Sequence, residues 1–371
     1  MSQHADTDET RTTPVFVRQF REPLAVLPGE TILEAALRAG EVYPHGCTLG
    51  QCGACKSVLI EGTVHQRPGF KDTTLTERER ASALFLACGA EPQGACEVAL
   101  LDRREPARFP VQRLEAEVAA VTDAAPSTKR VALRLPAGQR FFYEPGQFAT
   151  LTFEAKDGAL PPRDYSLARP AGDDGAERLE FHIGHQGEGP LAHFVAEDLA
   201  PGMTVRLEGP FGVSYLRRGR PGPILLAGGG TGLAPLLAIA EAAVAEGKTQ
   251  EPIRLLIAQR TPDDHYDLDR LAALADASPN LTVTLLVDRA AEGDFVARTP
   301  ADEIATRLKD LAGWQCYFAG PAGLVGEARA AALAAGARPG DCHADAFVPT
   351  SEKEARGQEG LRQVVLADLS S

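Results

Sequence analysis

The chain contains no apolar run that approaches the ~20 residues of a membrane-spanning helix. Residues 1–12 are polar and lack the apolar core of a secretory signal peptide, so we expect a disordered tail there. Positive charge is in deficit, with 38 Lys and Arg against 51 Asp and Glu and a net charge of −13. That deficit argues against nucleic acid as a partner, because nucleic acid binding requires basic patches. We therefore predict a cytoplasmic protein that binds neither nucleic acid nor membrane.

Cysteine is sparse for a disulfide framework, with seven residues in a 371-residue chain that has no secretion signal. Three of them, Cys47, Cys52 and Cys55, are spaced C-x4-C-x2-C, and Cys88 follows at a distance. Thiolates are soft, anionic ligands for iron, and this spacing is typical of a plant-type 2Fe–2S cluster. Glycines at 46, 50 and 53 suit a loop that wraps a cluster, because glycine adopts positive φ and exposes N–H donors.

Two other uses of these cysteines fit the spacing less well. A zinc site usually pairs two short knuckles, and the lone Cys88 is poorly spaced for that arrangement. A thioredoxin-like pair of Cys52 and Cys55 would leave Cys47 and Cys88 without a role. The iron–sulfur interpretation is therefore favoured. The remaining cysteines are predicted to be free thiols of a reducing cytosol: Cys96, Cys316 and Cys342.

Residues 13–102 place short strands and helices around the cysteine loop. Strands at 14–20 and 23–28 flank a turn, and Thr31 with Glu34 forms a capping box for a helix that ends near Arg38. Further strands are predicted at Ser57–Val64 and Glu97–Leu101. This order of elements, with its four cysteines, resembles the ferredoxin β-grasp fold.

The middle and last parts of the chain differ in their pattern. After a charged, proline-containing linker at 103–110, short strands between turn residues predict a small antiparallel barrel. From Pro221 onward apolar strands alternate with helices, which predicts a parallel α/β sheet. The barrel strands are predicted at Glu115–Val121, Lys129–Arg134, Gln147–Phe153 and Arg178–Ile183. The parallel strands are predicted at Ile224–Ala227, Ile253–Ala258, Leu281–Val287 and Gln315–Phe318.

The predicted fold class is accordingly α+β multidomain. We expect a β-grasp domain over 13–104, an antiparallel β-barrel domain over 111–217 and an α/β domain over 221–348. Residues 1–12 and 349–371 are left as tails.

The predicted barrel contains Arg163-Asp164-Tyr165-Ser166, together with stretches at 144–148 and 209–212. This set resembles the ferredoxin–NADP reductase superfamily. The resemblance implies that Arg163 binds the flavin phosphate, that Tyr165 packs on the isoalloxazine and that Ser166 reaches its N5 atom. Bidentate phosphate chemistry also favours an arginine in the first role. Tyr165 and Ser166 are therefore the predicted catalytic residues.

A second flavin-phosphate stretch is implied by the same resemblance at a helix start. Its predicted contacts are Gly187, Gly189 and Leu191, with Ala192 where the family has a hydroxyl. Backbone N–H groups would then hold the phosphate. The alternative is that the two glycines only shape a turn.

The glycine loop at 228–232 follows a predicted strand and opens a helix, where a dinucleotide pyrophosphate can rest on backbone N–H groups. No Lys-Ser or Lys-Thr follows, which excludes a Walker loop. By resemblance this is the nicotinamide pyrophosphate loop. Its predicted contacts are Gly228, Gly229, Gly230, Thr231 and Gly232.

The choice between NADH and NADPH rests on the end of the next strand. Arg260 could pair with a 2′-phosphate, but Asp263 and Asp264 bring negative charge to the same turn. Ribose hydroxyls would be accepted there and a 2′-phosphate repelled, so NADH is predicted as the cofactor.

Two late stretches depart from the family pattern. Ala319-Gly320-Pro321 stands where many members have Cys-Gly-Pro, so the turn with Gly320 and Pro321 is kept without the thiol. Many members also have a late glutamate near the flavin, and Asp345 is the acidic residue here. Phe347 covers the flavin ring by resemblance, with plain core packing as the alternative.

The order of the three domains resembles the reductase components of bacterial multicomponent oxygenases over residues 13–348. The resemblance implies an FAD-containing reductase that passes electrons from the nicotinamide cofactor through a 2Fe–2S cluster to an oxygenase or hydroxylase component, or to its ferredoxin. We also expect the protein to be a monomer. The acceptor would be a ring-hydroxylating dioxygenase or a di-iron monooxygenase. An iron–sulfur flavoprotein redox sensor or scaffold without turnover is the alternative, favoured by Ala192 and Ala319 and opposed by the intact glycine loop.

Overall fold

The computed structural model describes residues 12–41, 43–45, 50, 53–70, 72, 74–101, 108–156, 158–186, 189–247, 251–287 and 298–347. The chain divides into two compact units, Met1–Pro106 with Val348–Ser371, and Ala107–Phe347. No helix in the described part of the chain combines the length and the apolar character that a membrane span needs.

The first unit contains a five-stranded mixed sheet in the order β2-β1-β7-β3-β5, in which β1 and β7 run parallel, and a separate β4-β6 pair. The strands are β1 (Thr13–Val17), β2 (Leu24–Val26), β3 (Lys56–Glu61), β4 (Val64–Gln66), β5 (Leu84–Leu86), β6 (Ala90–Pro92) and β7 (Cys96–Leu100). The helices are α1 (Ile32–Arg38) and α2 (Glu77–Ala81).

Helix α1 begins where the sequence predicts. The Glu34 backbone N–H donates to Thr31 Oγ1 over 3.2 Å, and the Thr31 N–H donates to the Glu34 carboxylate over 2.8 Å. This capping box satisfies two N–H groups that the helix itself leaves without partners. Ile32 and Leu33 are buried and join the helix to the core of the first unit.

The second unit begins with antiparallel strands in the order β11-β10-β14-β8-β9-β13, with β12 also paired to β10. The strands are β8 (Gln112–Ala125), β9 (Thr128–Arg134), β10 (Phe148–Ala155), β11 (Gly158–Ala159), β12 (Arg163–Ser166), β13 (Arg178–Gly184) and β14 (Thr204–Phe211). A four-residue helix, α3 (Pro190–His193), follows β13. These strands form an open antiparallel sheet rather than the closed barrel that the sequence predicts. Among the described residues, the segment after β12 meets β13 only through an isolated bridge between Leu167 and Phe181.

The rest of the second unit is a wholly parallel sheet in the order β17-β16-β15-β18-β19. Its strands are β15 (Ile224–Gly229), β16 (Ile253–Gln259), β17 (Leu281–Val287), β18 (Gln315–Pro321) and β19 (Cys342–Phe347). Its helices are α4 (Leu233–Ala245), α5 (Leu268–Ala277), α6 (Pro300–Arg307) and α7 (Ala322–Ala334). The predicted alternation of strands and helices is confirmed.

Four strands of this unit were absent from the sequence-based prediction: β11, β12, β14 and β19. The β19 segment, Cys-His-Ala-Asp-Ala-Phe, has no strong apolar alternation, and it becomes a strand because β18 supplies a parallel partner from Cys316 to Pro321. Strand formation of this kind depends on packing rather than on intrinsic propensity.

We expect that Leu255→Ala will lower the free energy of unfolding by about 2–5 kcal/mol, because the substitution leaves a cavity in the buried core that Leu255 shares with residues of α4. Leu255 lies on the interior strand β16 and is 0% exposed. Leu285→Ala on the neighbouring β17 is the matched control, since Leu285 is 45% exposed, and its loss should stay near ~0.5 kcal/mol. Denaturant unfolding of both variants tests this, and equal losses would contradict it.

Candidate cofactor sites

Two of the four predicted cluster ligands lie in the described part of the first unit. Cys55 directly precedes β3 and Cys88 lies in a short turn between β5 and β6. Their Sγ atoms are 3.2 Å apart and both side chains are buried. Two soft donors this close, shielded from water, fit a shared iron–sulfur cluster. Cys47 and Cys52 lie outside the described residues.

An aromatic side chain that the motif did not indicate packs beside the Cys88 turn. A Cβ placed on Gly89 would lie 2.5 Å from the ring of Phe70. The Arg67 N–H also donates to the Gly89 carbonyl over 2.7 Å. Gly89 therefore lets the segment at 67–70 close over the residue next to a predicted ligand. No spacing rule in the sequence indicates this contact.

The predicted flavin residues lie on β12, which pairs with β10 from Leu151 to Phe148. Alternation along the strand puts Arg163 and Tyr165 on one face and Ser166 on the other. Burial raises the pKa of the Tyr165 phenol, so this ring stays neutral at physiological pH. The Arg163 guanidinium donates to the adjacent Pro162 carbonyl over 2.8 Å, which leaves donors of its planar fork for an anion.

Ser166 joins the antiparallel sheet to the parallel sheet. Its Oγ donates to Oδ2 of Asp345 on β19 over 3.0 Å, and the Ser166 side chain is buried. Asp345 in turn stands in register with Ala319 on β18. The acidic residue that the sequence offered for the family's late glutamate thus lies beside the predicted catalytic serine.

The second predicted flavin-phosphate stretch is described only in part. Gly187 lies outside the described residues. Gly189 is the residue before α3, and Leu191 packs against the core of the antiparallel sheet. The roles of these residues toward a phosphate stay predictions.

A cavity of about 540 Å³ lies at the carboxyl ends of the parallel strands. It is the size of a small-molecule site, and it lies where nucleotides bind to open α/β sheets. Six predicted cofactor residues line it: Gly229, Gly230, Thr231, Arg260, Pro321 and Phe347. Asp264, Gly184, Gln186 and Glu327 line it as well. Phe347 faces this space, opposite Pro321 in the register of β18 and β19.

Three other predicted glycines do not line the cavity but allow close packing of backbone within the parallel sheet. A Cβ on Gly228 would lie 2.2 Å from the Ala319 carbonyl oxygen, and one on Gly232 would lie 2.3 Å from the same atom. At Gly320, φ is +126° and a Cβ would lie 2.5 Å from the Gly229 carbonyl oxygen. These residues let β15 and β18 approach closely, so the loop at 228–232 has a packing reason for glycine as well as the predicted one.

The two aspartates of the nucleotide turn differ in position. The Asp264 carboxylate accepts hydrogen bonds from the Thr261 N–H over 3.1 Å and the Thr261 hydroxyl over 2.9 Å, while it lines the cavity. Asp263 is not among the residues that line the cavity in the described part of the chain. The negative charge near Arg260 is therefore supplied by Asp264 more than by Asp263.

One cavity-lining cation was missed by sequence reasoning. Arg298 lines the cavity and forms an ion pair with the buried carboxylate of Glu303 at 2.8 Å. Glu303 also lies 3.5 Å from Arg307, which is largely exposed. Arg298 thus adds a guanidinium group to a lining that also contains Arg260, Asp264 and Glu327. Arg298 belongs to no recognisable motif, and only the fold brings it to the cavity.

Comparison with protein families agrees with this geometry in chain order. A 2Fe-2S iron-sulfur cluster binding domain matches residues 16–93, an oxidoreductase FAD-binding domain matches 115–215 and an oxidoreductase NAD-binding domain matches 226–330. The sheets and sites thus define an oxidoreductase whose cofactors are a 2Fe–2S cluster, FAD and NAD(P)H.

Whole-length relatives narrow this class. The chain is 34% identical over 324 residues to the ferredoxin–NAD(P)+ reductase component of naphthalene 1,2-dioxygenase/salicylate 5-hydroxylase systems from Ralstonia sp., covering 87% of this chain and 94% of that one. It is 33% identical to the reductase subunit of an aromatic O-demethylase from Amycolatopsis sp., covering 87% and 96%. A crystal structure of Amycolatopsis cytochrome P450 reductase superposes with a TM-score of 0.72 at 31% identity, covering 91% and 99%.

The chain belongs to the family of ferredoxin–NAD(P)+ reductase components of oxygenase systems. It is therefore an NAD(P)H-dependent electron-transfer enzyme, and the resemblance inferred from the sequence is confirmed. The alternative of a redox sensor or scaffold without turnover gains no support from these relatives.

We expect Gly232→Ala to lower the melting temperature and to reduce the free energy of unfolding by at least about 1–3 kcal/mol. The reason is that the new Cβ would meet backbone atoms of Ala319, which cannot rotate away. Gly323→Ala on α7 is the control, since a Cβ there meets nothing within 4 Å, and alanine favours a helix by ~0.5–1 kcal/mol. Differential scanning calorimetry of both proteins tests the expectation. An unchanged transition for Gly232→Ala would show that the glycine loop and β18 are not in close contact.

Proposed function

We propose that this protein takes electrons from NADH through FAD and a 2Fe–2S cluster to a separate oxygenase or hydroxylase component, or to its ferredoxin. The observation that supports this best is the contact of Ser166 with Asp345, which brings the predicted flavin strand to the edge of the nucleotide-binding sheet. The relatives' names include a dioxygenase system and a cytochrome P450 reductase, so the proposed acceptor is an oxygenase component without restriction to one iron centre. We propose a monomer of the cytoplasm that uses neither membrane nor nucleic acid.

The proposed division of labour follows the three segments of the chain. Residues 13–104 would hold the cluster through Cys47, Cys52, Cys55 and Cys88. Residues 111–217 would hold FAD, and residues 221–348 would hold the nucleotide. When bound, flavin can accept the two electrons of a hydride and release them one at a time, which suits a two-electron donor and a one-electron acceptor.

The protein's own groups supply orientation and charge. We assign Arg163 to the flavin phosphate, because its hydrogen bond to the Pro162 carbonyl leaves further guanidinium donors for an anion. Tyr165 would pack on the flavin as a neutral ring. Ser166 would present a hydroxyl whose direction is fixed by Asp345. Ala319 stands where many family members have a cysteine, so no thiol is present at this position. We therefore propose that the geometry of Ser166 and of the Gly320 turn suffices for hydride transfer.

For the nucleotide we propose NADH over NADPH. Asp264 lines the cavity next to Arg260, so an adenosine 2′-phosphate would meet a carboxylate as well as a guanidinium. The ribose hydroxyls of NADH can instead donate hydrogen bonds to that carboxylate.

The decisive experiment is a visible absorption spectrum of the purified protein, followed by anaerobic addition of NADH and then of NADPH. We expect flavin bands over iron–sulfur absorption, bleached by NADH at a far lower concentration than by NADPH. Bands that neither nucleotide bleaches would overturn the proposed function. Equal bleaching by both would overturn only the preference for NADH.

We expect Arg298→Gln to weaken nucleotide binding about tenfold, equivalent to ~1.4 kcal/mol, because a positive charge is lost from the cavity rim. Arg307→Gln is the matched control, since Arg307 shares Glu303 but does not line the cavity. The KM values for NADH and NADPH should both rise if Arg298 meets the pyrophosphate, and only that for NADPH if it meets the 2′-phosphate. Unchanged KM values for both nucleotides would contradict a role for Arg298.

A further inference from the structure

Six charged side chains meet where the antiparallel sheet packs against helices α4 and α5 of the parallel domain. Three come from the antiparallel part and three from the parallel part of the second unit, and their formal charges cancel. They are Arg130, Arg169 and Glu180 on one side, and Glu241, Asp267 and Arg270 on the other.

Each of the three cations has an anionic partner on the opposite side. Arg130 on β9 pairs with Asp267, which precedes α5. The Arg270 guanidinium lies 3.0 Å from the Glu180 carboxylate on β13. Arg169, which follows β12, lies 3.5 Å from Glu241 on α4. The pairs therefore act across the boundary, and they can all form only when the two parts adopt one relative position.

A neutral hydrogen bond crosses the same boundary. His182 on β13 is fully buried, and its Nδ1 lies 3.1 Å from the Tyr266 hydroxyl. Burial lowers the pKa of His182, so the ring is uncharged at physiological pH. Burial would raise the pKa of Glu180, but the hydrogen bond with His182 and the charges of Arg169 and Arg270 lower it to about 2. The carboxylate therefore stays ionised and able to bind Arg270.

Glu180, His182 and Asp267 could together be mistaken for a metal site, since their ligand atoms lie within 4.8 Å of one another. The two carboxylates are already neutralised. Arg270 contacts both of them, at 3.0 Å and 3.5 Å, and Arg130 contacts Asp267 as well. A divalent cation would place a third positive charge beside two guanidinium groups, so this cluster is an ion-pair network.

Arg270 occupies the centre of the network. Its side chain is 14% exposed, and it donates to the Glu241 carboxylate over 2.7 Å within its own domain. It also donates through Nη2 to the carbonyl oxygen of Ala168 over 2.8 Å. Ala168 is two residues beyond Ser166 at the end of β12. One guanidinium of the nucleotide-binding domain therefore holds the strand that carries the predicted flavin residues.

We propose that Arg270 is a positioning residue for hydride transfer, which fixes the strand of Tyr165 and Ser166 relative to the nucleotide cavity. This inference rests on the proposed function, because the two bound rings must meet in one geometry for hydride to pass. A misplacement of ~1 Å can slow such a step about 100-fold. Lysine could replace the charge but not the fork that reaches Glu180, Glu241 and Ala168 together.

The test is anaerobic stopped-flow reduction of the holoprotein by saturating NADH. We expect Arg270→Met to lower the limiting rate of flavin reduction at least about tenfold and to weaken the long-wavelength charge-transfer absorption of stacked nicotinamide and flavin. Flavin and cluster content should match the unmodified protein. Arg270→Lys should recover only part of the rate. Arg206→Met is the control, because its ion pair with Glu154 at 2.9 Å lies within the antiparallel sheet, and it should leave the rate unchanged.

Glu241→Gln provides a milder second variant in case Arg270→Met does not fold. It keeps the shape of the side chain and removes one anion, and we expect a smaller drop in the limiting rate with the same loss of charge-transfer absorption. Wild-type rates and spectra in every folded variant of Arg270 and Glu241 would overturn the inference. If NADH and NADPH both fail to reduce the unmodified protein, the proposed function itself is wrong. That result differs from wild-type rates in the variants, which would overturn only the role of Arg270.

Discussion

The balance of charge between the two parts of the second unit is the constraint on which its candidate site depends. Burying ionised groups costs several kcal/mol each, and this cost is offset only when every group finds its partner. Glu180, Asp267 and Arg270 are mostly buried, so a sliding of one part past the other would leave charges unpaired. The packing therefore favours one discrete arrangement, and the contact of Ser166 with Asp345 is formed in that arrangement.

A second constraint acts within the parallel sheet, where backbone meets backbone. Gly228 and Gly232 approach the carbonyl of Ala319 more closely than any side chain would allow. The nucleotide-sized cavity lies at the carboxyl edge of this sheet, where Gly229, Gly230, Thr231 and Pro321 line it. The missing thiol at Ala319 changes none of this backbone geometry, because the turn is made by Gly320.

Features that depend on local sequence patterns were predicted correctly, whereas features that depend on tertiary packing were missed. The capping box of Thr31 and Glu34, the alternation of strands and helices after Pro221 and the order of the three domains are local patterns, and the fold classes they predicted are confirmed by the structure and the family matches. Closure of the barrel was not found among the described residues, where an isolated bridge between Leu167 and Phe181 takes the place of a further strand ladder. Arg298 and the strand β19 were missed, because neither has a local signature.

The cysteine spacing by itself indicated an iron–sulfur cluster, since ligand type and short spacings are properties of the sequence. The glycine loop and the Arg163–Ser166 stretch indicated nicotinamide and flavin through their resemblance to a reductase family. Only the tertiary structure decided which of these residues meet. It separated Gly228 and Gly232 from the cavity wall, brought Asp345 to Ser166 and placed Arg270 against Ala168. Such contacts join residues up to 179 positions apart, and they arise from the packing of whole sheets and helices, which no local pattern contains.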